Sequence, residues 1–354
     1  MKRALAVAML LFVICVALFA ADLMRPFRGY TGSVIIDIPP GTQAPGVANT
    51  LAAKGVLAHR LPFLLLYALR RQHHRLQAGE YLFDRPLRPI DVYRKLVRGE
   101  VYFSTVVVPE GSNCFDIARI VHDKLGIAPD DFLRLTRDTS SIRDLDPRAP
   151  SLEGYLFPDT YRLAHHTSAA GVIAAMEARF RQVLRQNFRQ DFTMQGAGLH
   201  DALTLASLVE KETPDPNERP IVAQVFKLRL QEGMPLQCDP TVLYAAQLDH
   251  RPIGPITAAD LGSQSSYNTY VHTGLPPGPI CNSGVASIRA ALHPASTHYL
   301  YFVSNNHGGH IFATTLADHQ RNVARYRHDR RAMPKLTGRS RRSSLSKEFQ
   351  SGGM

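Results

Sequence analysis

A run of 18 apolar residues, Ala4–Ala21, follows Lys2 and Arg3 at the start of the chain. As an α-helix this run would be roughly 27 Å long at about 1.5 Å per residue, just enough to cross the hydrocarbon core of a bilayer. Cleavable signal peptides also begin with a positive patch and an apolar run. Leu18 or Phe19, however, occupies the position where cleavage requires a small residue, so the sequence favours an uncleaved transmembrane anchor.

We assign residues 1–25 to a short cytoplasmic start and this anchor. Positive residues that flank a membrane span stay in the cytoplasm, so the rest of the chain is expected on the extracytoplasmic side of the inner membrane. Beyond the anchor the chain has Cys114, Cys238 and Cys281, an odd number that allows at most one intrachain disulfide. The sequence has no Cys-x-x-Cys pair, which argues against a zinc knuckle.

The positive charge is concentrated at the C-terminus. The formal net charge is +11, and the residues from Tyr326 onward supply +6 of it through eight Lys or Arg against two acids. The sequence lacks the signatures of helix-turn-helix, zinc-finger and aromatic RNA-binding proteins. We therefore expect no nucleic-acid partner, and we interpret residues 328–354 as a basic disordered tail.

Short strand and helix patterns alternate between residues 30 and 127. The strand patterns are Ser33–Ile38, Glu80–Phe83 and Thr105–Val108, and the helical patterns are Val47–Ala53, Pro62–Arg71, Ile90–Arg98 and about Cys114–Leu125. This alternation predicts a small α/β module over residues 30–127. Within it, Pro109-Glu110-Gly111-Ser112 resembles the start of a LysM-like sugar-binding module, although the same residues also suit a simple strand-to-helix turn.

The second half of the chain has a different pattern. Residues 151–161 mix aromatic, acidic and proline residues without a period, which indicates a structured loop of the kind that often lines sites. Long helical patterns follow at Ala169–Arg189, Asp201–Glu212 and Ile221–Gln231. Residues 305–309 indicate a hairpin turn between two short strands. The chain as a whole is predicted to be an α+β protein, that is, a mixed α/β fold.

Glu210 is the candidate catalytic acid. It lies near the end of a helical pattern that Pro214 stops, on one face with Leu203, Ala206 and Ser207. A mostly apolar face would desolvate the carboxyl group, and the partial negative charge of the last helical turn opposes a carboxylate by roughly 0.3–1 kcal/mol. Both effects favour the protonated acid that glycosidic cleavage requires. The alternative is that Glu210 simply solvates the end of a helix.

Several segments, in a fixed order, carry a resemblance to a known family. They are Glu153–Tyr161, Leu208–Thr213, Gln237–Val242, Tyr267–Tyr270, Gly274–Asn282, His293–Ala295 and Tyr299–Val303. Together they closely resemble the YceG-like family, whose characterised members are MltG-type endolytic murein transglycosylases. The resemblance extends from the anchor to about Arg327, and it implies a YceG-like catalytic domain over residues 128–327.

The resemblance also implies a reaction. Members cleave the β-1,4 bond between N-acetylmuramic acid (MurNAc) and N-acetylglucosamine (GlcNAc) inside nascent peptidoglycan strands and leave 1,6-anhydroMurNAc ends. One acid protonates the leaving oxygen and then, as a carboxylate, accepts the proton of the muramoyl C6 hydroxyl, whereas ordinary glycosidases use two carboxylates. On these motifs the expected catalytic acid is Glu210. The chain is thus expected to be a lyase rather than a hydrolase, with no cofactor and no metal.

Eight further residues of these motifs are candidates for substrate binding. Glu153, Gln237, Asp239 and Asn268 offer polar groups for hydroxyl and acetamido recognition, and Tyr155, Tyr161, Tyr267 and Tyr270 could stack on sugar rings. With no Trp in the sequence, tyrosine must supply most of any stacking. For each of these residues, core packing or a hydrogen bond that fixes a loop is the alternative. Arg219 could orient a carboxylate.

Two other functions compete with this interpretation. His307, His310 and His319 could hold zinc in a cell-wall amidase or peptidase, although the chain has no His-Glu-x-x-His motif. The other competing function is that of a non-catalytic, membrane-anchored scaffold that binds peptidoglycan for the synthases. The family resemblance suggests a role in ending glycan polymerisation and contact with penicillin-binding synthases of the elongation or division machinery.

Overall fold

The computed structural model describes residues 2–70, 75–191 and 198–332. The chain divides into two compact units. The N-terminal unit contains the residues up to Val106 together with Asp123–Gly126 and Thr160–Ser168. The C-terminal unit contains Val107–His122, Ile127–Asp159 and the chain from Ala169 onward. This division differs from the boundary drawn at residue 127, because Val107–His122, including the Pro-Glu-Gly-Ser segment, belongs to the C-terminal unit.

The first helix, α1 (Lys2–Met24), covers the apolar run and is built largely of the good helix formers Ala, Leu and Met. Many of its large apolar side chains are exposed, among them Met9, Leu10 and Val13. Across the described ranges, no helix has the length and hydropathy needed to span a membrane.

A two-stranded sheet and three helices form the core of the N-terminal unit. Strand β1 (Val34–Ile38) pairs antiparallel with β2 (Gly79–Phe83), and helices α2 (Ala44–Ala53) and α3 (Arg60–Arg70) lie between them in sequence. Helix α4 (Pro89–Arg98) follows. Ile36 and Ile38 alternate with exposed Asp37 and pack with Phe63 and Tyr81 in one apolar cluster. The predicted strands and helices of this module are confirmed to within a few residues.

In a second pair of strands, the sequence predicts one strand, β3 (Ser104–Val107), and not its partner, β4 (Thr160–Leu163). Strand β3 pairs with β4. The sequence of β4 adjoins an irregular, proline-containing segment, so its strand pattern was too short to recognise. Glu80 is 4% exposed and accepts the backbone N–H groups of His165 and His166 at 2.5 and 3.0 Å, which fixes the chain just after β4.

The C-terminal unit is mainly helical. Its elements are α5 (Cys114–Leu125), α6 (Pro129–Leu135), α7 (Ala169–Asn187), α8 (Leu199–Glu212), α9 (Arg219–Gln231), α10 (Asp239–Leu248), α11 (Ala258–Leu261), α12 (Val285–Leu292), the antiparallel hairpin β5 (Tyr301–Ser304) and β6 (His310–Ala313), and α13 (Leu316–Ala332). The predicted hairpin is confirmed. Residues 328–332 are the end of α13 and not part of a disordered tail, and the rest of that predicted tail lies outside the described residues.

Helix α8 runs through the core of the C-terminal unit. Every residue from Leu203 to Val209 is buried, which is typical of a helix enclosed on all sides. Its polar side chains are satisfied locally, since the Thr204 hydroxyl donates to the His200 carbonyl and the Ser207 hydroxyl donates to the Thr204 carbonyl. The last turn reaches less buried surroundings, and that turn carries two glutamates.

Candidate active site

Glu210 lies in the last turn of α8, and both of its carboxyl oxygens are bound. Oε1 accepts a hydrogen bond from Arg219 Nη2 at 3.0 Å, and Oε2 accepts one from the backbone N–H of Gly284 at 3.0 Å. The Glu210 side chain is 5% exposed and that of Arg219 is 9% exposed. Glu210 is desolvated as expected, but its surroundings are not apolar, because its carboxyl group is half of a buried ion pair.

Glu110 shares the same arginine. Its Oε2 lies 3.9 Å from Arg219 Nη1, and its side chain is 51% exposed. Burial, and then the nearby Glu210 carboxylate, raise the pKa of Glu110, while Arg219 opposes both. The Glu110 carboxyl group also lies so close to Gly284 that a Cβ on this residue would overlap it. The Pro-Glu-Gly-Ser segment thus contributes to the surroundings of Glu210 within the C-terminal unit.

Glu212, two residues further along α8, faces a cavity of about 340 Å³. This volume falls in the range of roughly 300–1,000 Å³ that is usual for small-molecule sites. The cavity is lined by Glu212, Arg229, Leu236, Gln237, Asp239, Tyr270, Phe302, Val303, Ser304, His310 and His319. Glu210 does not line it. The candidate acid of the cavity is therefore Glu212, which does not lie on the helical face that Glu210 shares with Leu203, Ala206 and Ser207.

The electrostatic surroundings of Glu212 favour its protonated form. Burial is the main cause, and with the help of the Asp239 carboxylate it raises the pKa of Glu212 to about 7. A hydrogen bond with the Cys238 thiol and the charges of His310 and Arg229 act in the opposite direction. A carboxyl group that is protonated near neutral pH meets the first requirement of general acid catalysis.

Two of the predicted substrate-binding segments come together beside Glu212. The backbone N–H of Gln237 donates to the Thr269 carbonyl at 3.0 Å, and that of Cys238 donates to Thr269 Oγ1 at 3.0 Å. Tyr270 donates its hydroxyl to Asp239 Oδ1 at 2.5 Å across the same junction. Gln237, Asp239 and Tyr270 therefore line the cavity together, as a binding role requires, and Gln237 adopts the unusual φ of 52° there.

Glu153 has a different role from the predicted one. It is 1% exposed, and its Oε2 accepts hydrogen bonds from the backbone N–H of Cys114 at 2.9 Å and the Tyr244 hydroxyl at 3.1 Å. Its Oε1 accepts one from Asn282 Nδ2 at 2.9 Å. Asn282 in turn accepts the backbone N–H groups of Gly154 and Leu156. Glu153 is thus part of a buried polar network that joins distant segments.

Four other predicted binding residues also have contacts inside the protein. Tyr155 is fully buried, with its hydroxyl bonded to Asp146, and Tyr161 is 8% exposed in β4 of the N-terminal unit. Asn268 is fully buried and donates to the carbonyls of Leu261 and Ser263 at 3.0 and 2.7 Å. Tyr267 packs on the ring of Tyr244 with centroids 5.1 Å apart. Their types suit sugar binding, but a sequence does not reveal which side chains point inward.

The three histidines of the zinc alternative do not form one site. His310 is bound to Glu218, His307 lies in the exposed turn between β5 and β6, and His319 stacks on Tyr301. No cluster of three or more potential metal ligands is found among residues 2–70, 75–191 and 198–332. Cys114, Cys238 and Cys281 are buried free thiols.

Comparison with known proteins finds relatives over most of the chain. The sequence profile of the YceG-like family matches residues 36–325. The chain is 32% identical over 326 residues to an endolytic murein transglycosylase of Bacillus subtilis (strain 168), covering 87% of this chain and 89% of that protein. It is 29% identical over 322 residues to the endolytic murein transglycosylase of Streptococcus pneumoniae serotype 2 (strain D39 / NCTC 7466), covering 83% of this chain and 58% of that longer protein.

The fold comparison leads to the same group of proteins. The crystal structure of a YceG-like protein from Listeria monocytogenes superposes with a TM-score of 0.56 at 30% sequence identity, covering 82% of this chain and 99% of that one. The profile match spans both compact units and includes the last turn of α8 and the cavity beside it. The chain therefore belongs to the YceG-like family.

Proposed function

We propose that this protein is an endolytic peptidoglycan lytic transglycosylase that cleaves the MurNAc-β-1,4-GlcNAc bond within glycan strands. The observation that carries the proposal is the cavity in which Gln237, Asp239 and Tyr270 surround a protonatable Glu212. Family membership supports the reaction class, since the curated relatives from Bacillus subtilis and Streptococcus pneumoniae are both endolytic murein transglycosylases.

In this proposal Glu212 is the general acid. Its proton passes to the glycosidic oxygen as the bond from C1 to that oxygen breaks, and the muramoyl C6 hydroxyl oxygen then attacks C1 to close the 1,6-anhydro ring. The developing positive charge on the sugar lies beside the new Glu212 carboxylate and Asp239, which stabilise it. Water is not required as a nucleophile because the substrate supplies its own hydroxyl.

Glu210 acts in this scheme as a positioning residue and not as the acid expected from the sequence. Both oxygens of the Glu210 carboxyl group are occupied, by Arg219 and by the Gly284 N–H, and the side chain is buried, so it is poorly accessible to a sugar. Its ion pair ties the end of α8 to the start of α9, and its bond to Gly284 ties α8 to the start of α12. These contacts keep the last turn of α8, and with it Glu212, in place.

The location of the reaction forms a second part of the proposal. The exposed apolar side chains of α1 support an N-terminal anchor in the inner membrane, with the remaining chain on the extracytoplasmic side. An enzyme held there would meet glycan strands as the synthases produce them, which suits a role in ending polymerisation. The N-terminal unit, which has its own apolar core, would serve as a LysM-like module that holds the strand.

The test is mass spectrometry of purified glycan strands after incubation with full-length protein in detergent. We expect 1,6-anhydroMurNAc ends at internal positions with the wild type, and their loss with Glu212→Gln. Glu232→Gln, which changes an exposed acid just after α9, is the matched control and should leave the products unchanged. If the wild type produces reducing ends instead of 1,6-anhydroMurNAc ends, the reaction is hydrolysis. If it binds strands without cleaving them, the scaffold alternative is favoured.

A further inference from the structure

His310 is held by a carboxylate in the manner of an oriented catalytic base. Glu218 Oε2 lies 2.7 Å from His310 Nδ1, and Glu218 Oε1 accepts the backbone N–H of His310 at 2.8 Å. The Thr213 hydroxyl adds a bond of 3.2 Å to Glu218 Oε2. Because a carboxylate only accepts, Nδ1 must carry the proton, and a neutral ring then presents the lone pair of Nε2 as an acceptor.

The ring of His310 lies at the edge of the cavity that contains Glu212. Its side chain is 12% exposed, and it packs edge-on against Phe302 with ring centroids 5.2 Å apart. Within the described parts of the chain, His310 Nε2 has no hydrogen-bond partner. The atom is also not fully buried. The Nε2 acceptor is therefore accessible to a ligand.

The charges around His310 suit a group that gains a proton during the reaction. Glu218 contacts it from the loop between α8 and α9, and Glu212 interacts with it electrostatically from the end of α8. Asp239, Arg229 and His319 line the same cavity from α10, α9 and α13. An imidazolium at this place would be paired through Nδ1 with the Glu218 carboxylate, as the histidine of a Ser-His-Asp triad is paired with its aspartate.

We propose that His310, oriented by Glu218, is the base that accepts the proton of the muramoyl C6 hydroxyl, so that acid and base are two different groups. This inference rests on the proposed function. Glu212 gives its proton to the leaving oxygen as the C1–oxygen bond breaks. The C6 oxygen forms its bond to C1 and passes its proton to His310 Nε2. Transfer of that proton from His310 to Glu212, directly or through water, restores both groups, so no other reactant is needed.

This two-group mechanism differs from one in which a single glutamate both protonates the leaving oxygen and deprotonates the C6 hydroxyl. In the single-acid mechanism, replacement of His310 would change substrate binding and the pKa of Glu212, but not the ratio of reducing to anhydro ends. In the two-group mechanism, bond cleavage by Glu212 continues in the variant, but the C6 hydroxyl is deprotonated poorly. Water then competes for C1, and the products gain reducing ends, which differ from anhydro ends by one water in mass.

The experiment compares full-length His310→Gln with His307→Gln on purified glycan strands. Gln keeps a donor for Glu218 but has no basic nitrogen, and His307 is an exposed histidine three residues away that serves as the control. We expect His310→Gln to lower kcat by about 10²–10⁴ while KM changes little, and to raise the ratio of reducing to anhydro ends. His307→Gln should match the wild type in both measurements.

Glu218 is tested as a positioning residue. Glu218→Gln should lower kcat less than His310→Gln and change the pH dependence of kcat, and Glu218→Asp should restore part of the loss. Circular dichroism melting and glycan-binding measurements on each variant separate lost folding from lost catalysis. If folded His310→Gln keeps the wild-type kcat and product ratio, the inference is overturned while the proposed function stands. If the wild type itself forms no anhydro ends, the proposed function fails first.

Discussion

Glu210 and Glu212 lie two residues apart in the last turn of α8, yet their carboxyl groups have opposite surroundings. Positions two apart on a helix point in directions about 200° apart, so one core helix can serve two sites. Glu210 is bound by Arg219 and the Gly284 N–H, whereas Glu212 faces a cavity lined by polar side chains. The last turn of α8 thus carries two different groups. Glu210 belongs to an ion pair that fixes the helix, and Glu212 is an acid with a pKa of about 7.

Activity should fall as the pH rises through the pKa of the acid. Burial raises the pKa of Glu212 to about 7, so the proton needed for cleavage is present below that pH and is lost above it. The Asp239 carboxylate contributes to this rise, and Asp239→Asn should therefore move the alkaline limb of the kcat profile to lower pH. The measurement is kcat as a function of pH for both proteins, and an unmoved limb would contradict this assignment.

Removing the arginine of the buried ion pair should destabilise the fold. Arg219→Met leaves Glu210 as a buried carboxylate without its cation, which costs about 3–5 kcal/mol. Adding Glu210→Gln removes the unpaired charge, so the double variant should recover part of the free energy of unfolding. Urea unfolding of the single and double variants measures this coupling, and strictly additive losses would show that the pair contributes nothing.

Glu153→Gln should destabilise the protein although the two side chains have the same shape. Cys114, Tyr244 and Asn282 each donate a hydrogen bond to the Glu153 oxygens. In Glu153→Gln the side-chain NH₂ group, itself a donor, would face at least one of these donors. The expected cost is about 1–3 kcal/mol of unfolding free energy. An unchanged midpoint of thermal unfolding would mean that the network rearranges freely.

The same residue should make stability depend on pH. Burial raises the pKa of Glu153 to about 7, so its protonated form is favoured by folding. That contribution is present below the ordinary pKa of a glutamate and is lost as the pH rises through about 7. The wild type should therefore lose stability over this pH range, and Glu153→Gln, which cannot ionise, should lose less.

Gly154→Ala tests the close approach of two motifs. Gly154 has a φ of 89°, and a Cβ on it would lie 2.5 Å from Pro279 Cγ. Both the backbone strain and the overlap with a rigid ring oppose the substitution, and we expect a loss of roughly 1–3 kcal/mol. Gly126 has a φ of 70°, but a Cβ on it would lie in open space. Gly126→Ala therefore measures the cost of the backbone strain alone. Equal losses for the two variants would exclude a steric role for Pro279.

The sequence was sufficient for the elements whose patterns are local. The alternation of Ile36, Asp37 and Ile38 predicted β1, and the apolar residues of α8 predicted that helix to within two residues of its observed start. The hairpin of β5 and β6 followed from its turn residues. In each case the signal lies within one element, so no knowledge of the tertiary structure is needed.

The roles of single residues depended on contacts between distant segments. Glu210 and Glu212 are equivalent by propensity. The donors Arg219 and Gly284 occupy the oxygens of Glu210, whereas burial and the Asp239 carboxylate raise the pKa of Glu212. Likewise, Glu153 and Asn268 are polar residues of a loop-rich segment that turn inward to satisfy buried donors or carbonyls. The pairing of Glu218 with His310, 92 residues apart, has no local signal at all.

The burial of α8 on all sides has a consequence for how a glycan strand must be handled. A helix enclosed by the core cannot rotate or slide without breaking its packing, so the acid at its end holds one fixed position throughout turnover. Whatever movement brings the scissile oxygen and the acid together must then come from the sugar chain. If the protein cleaves glycan strands as proposed, the strand must bring each scissile bond to a proton donor that does not move.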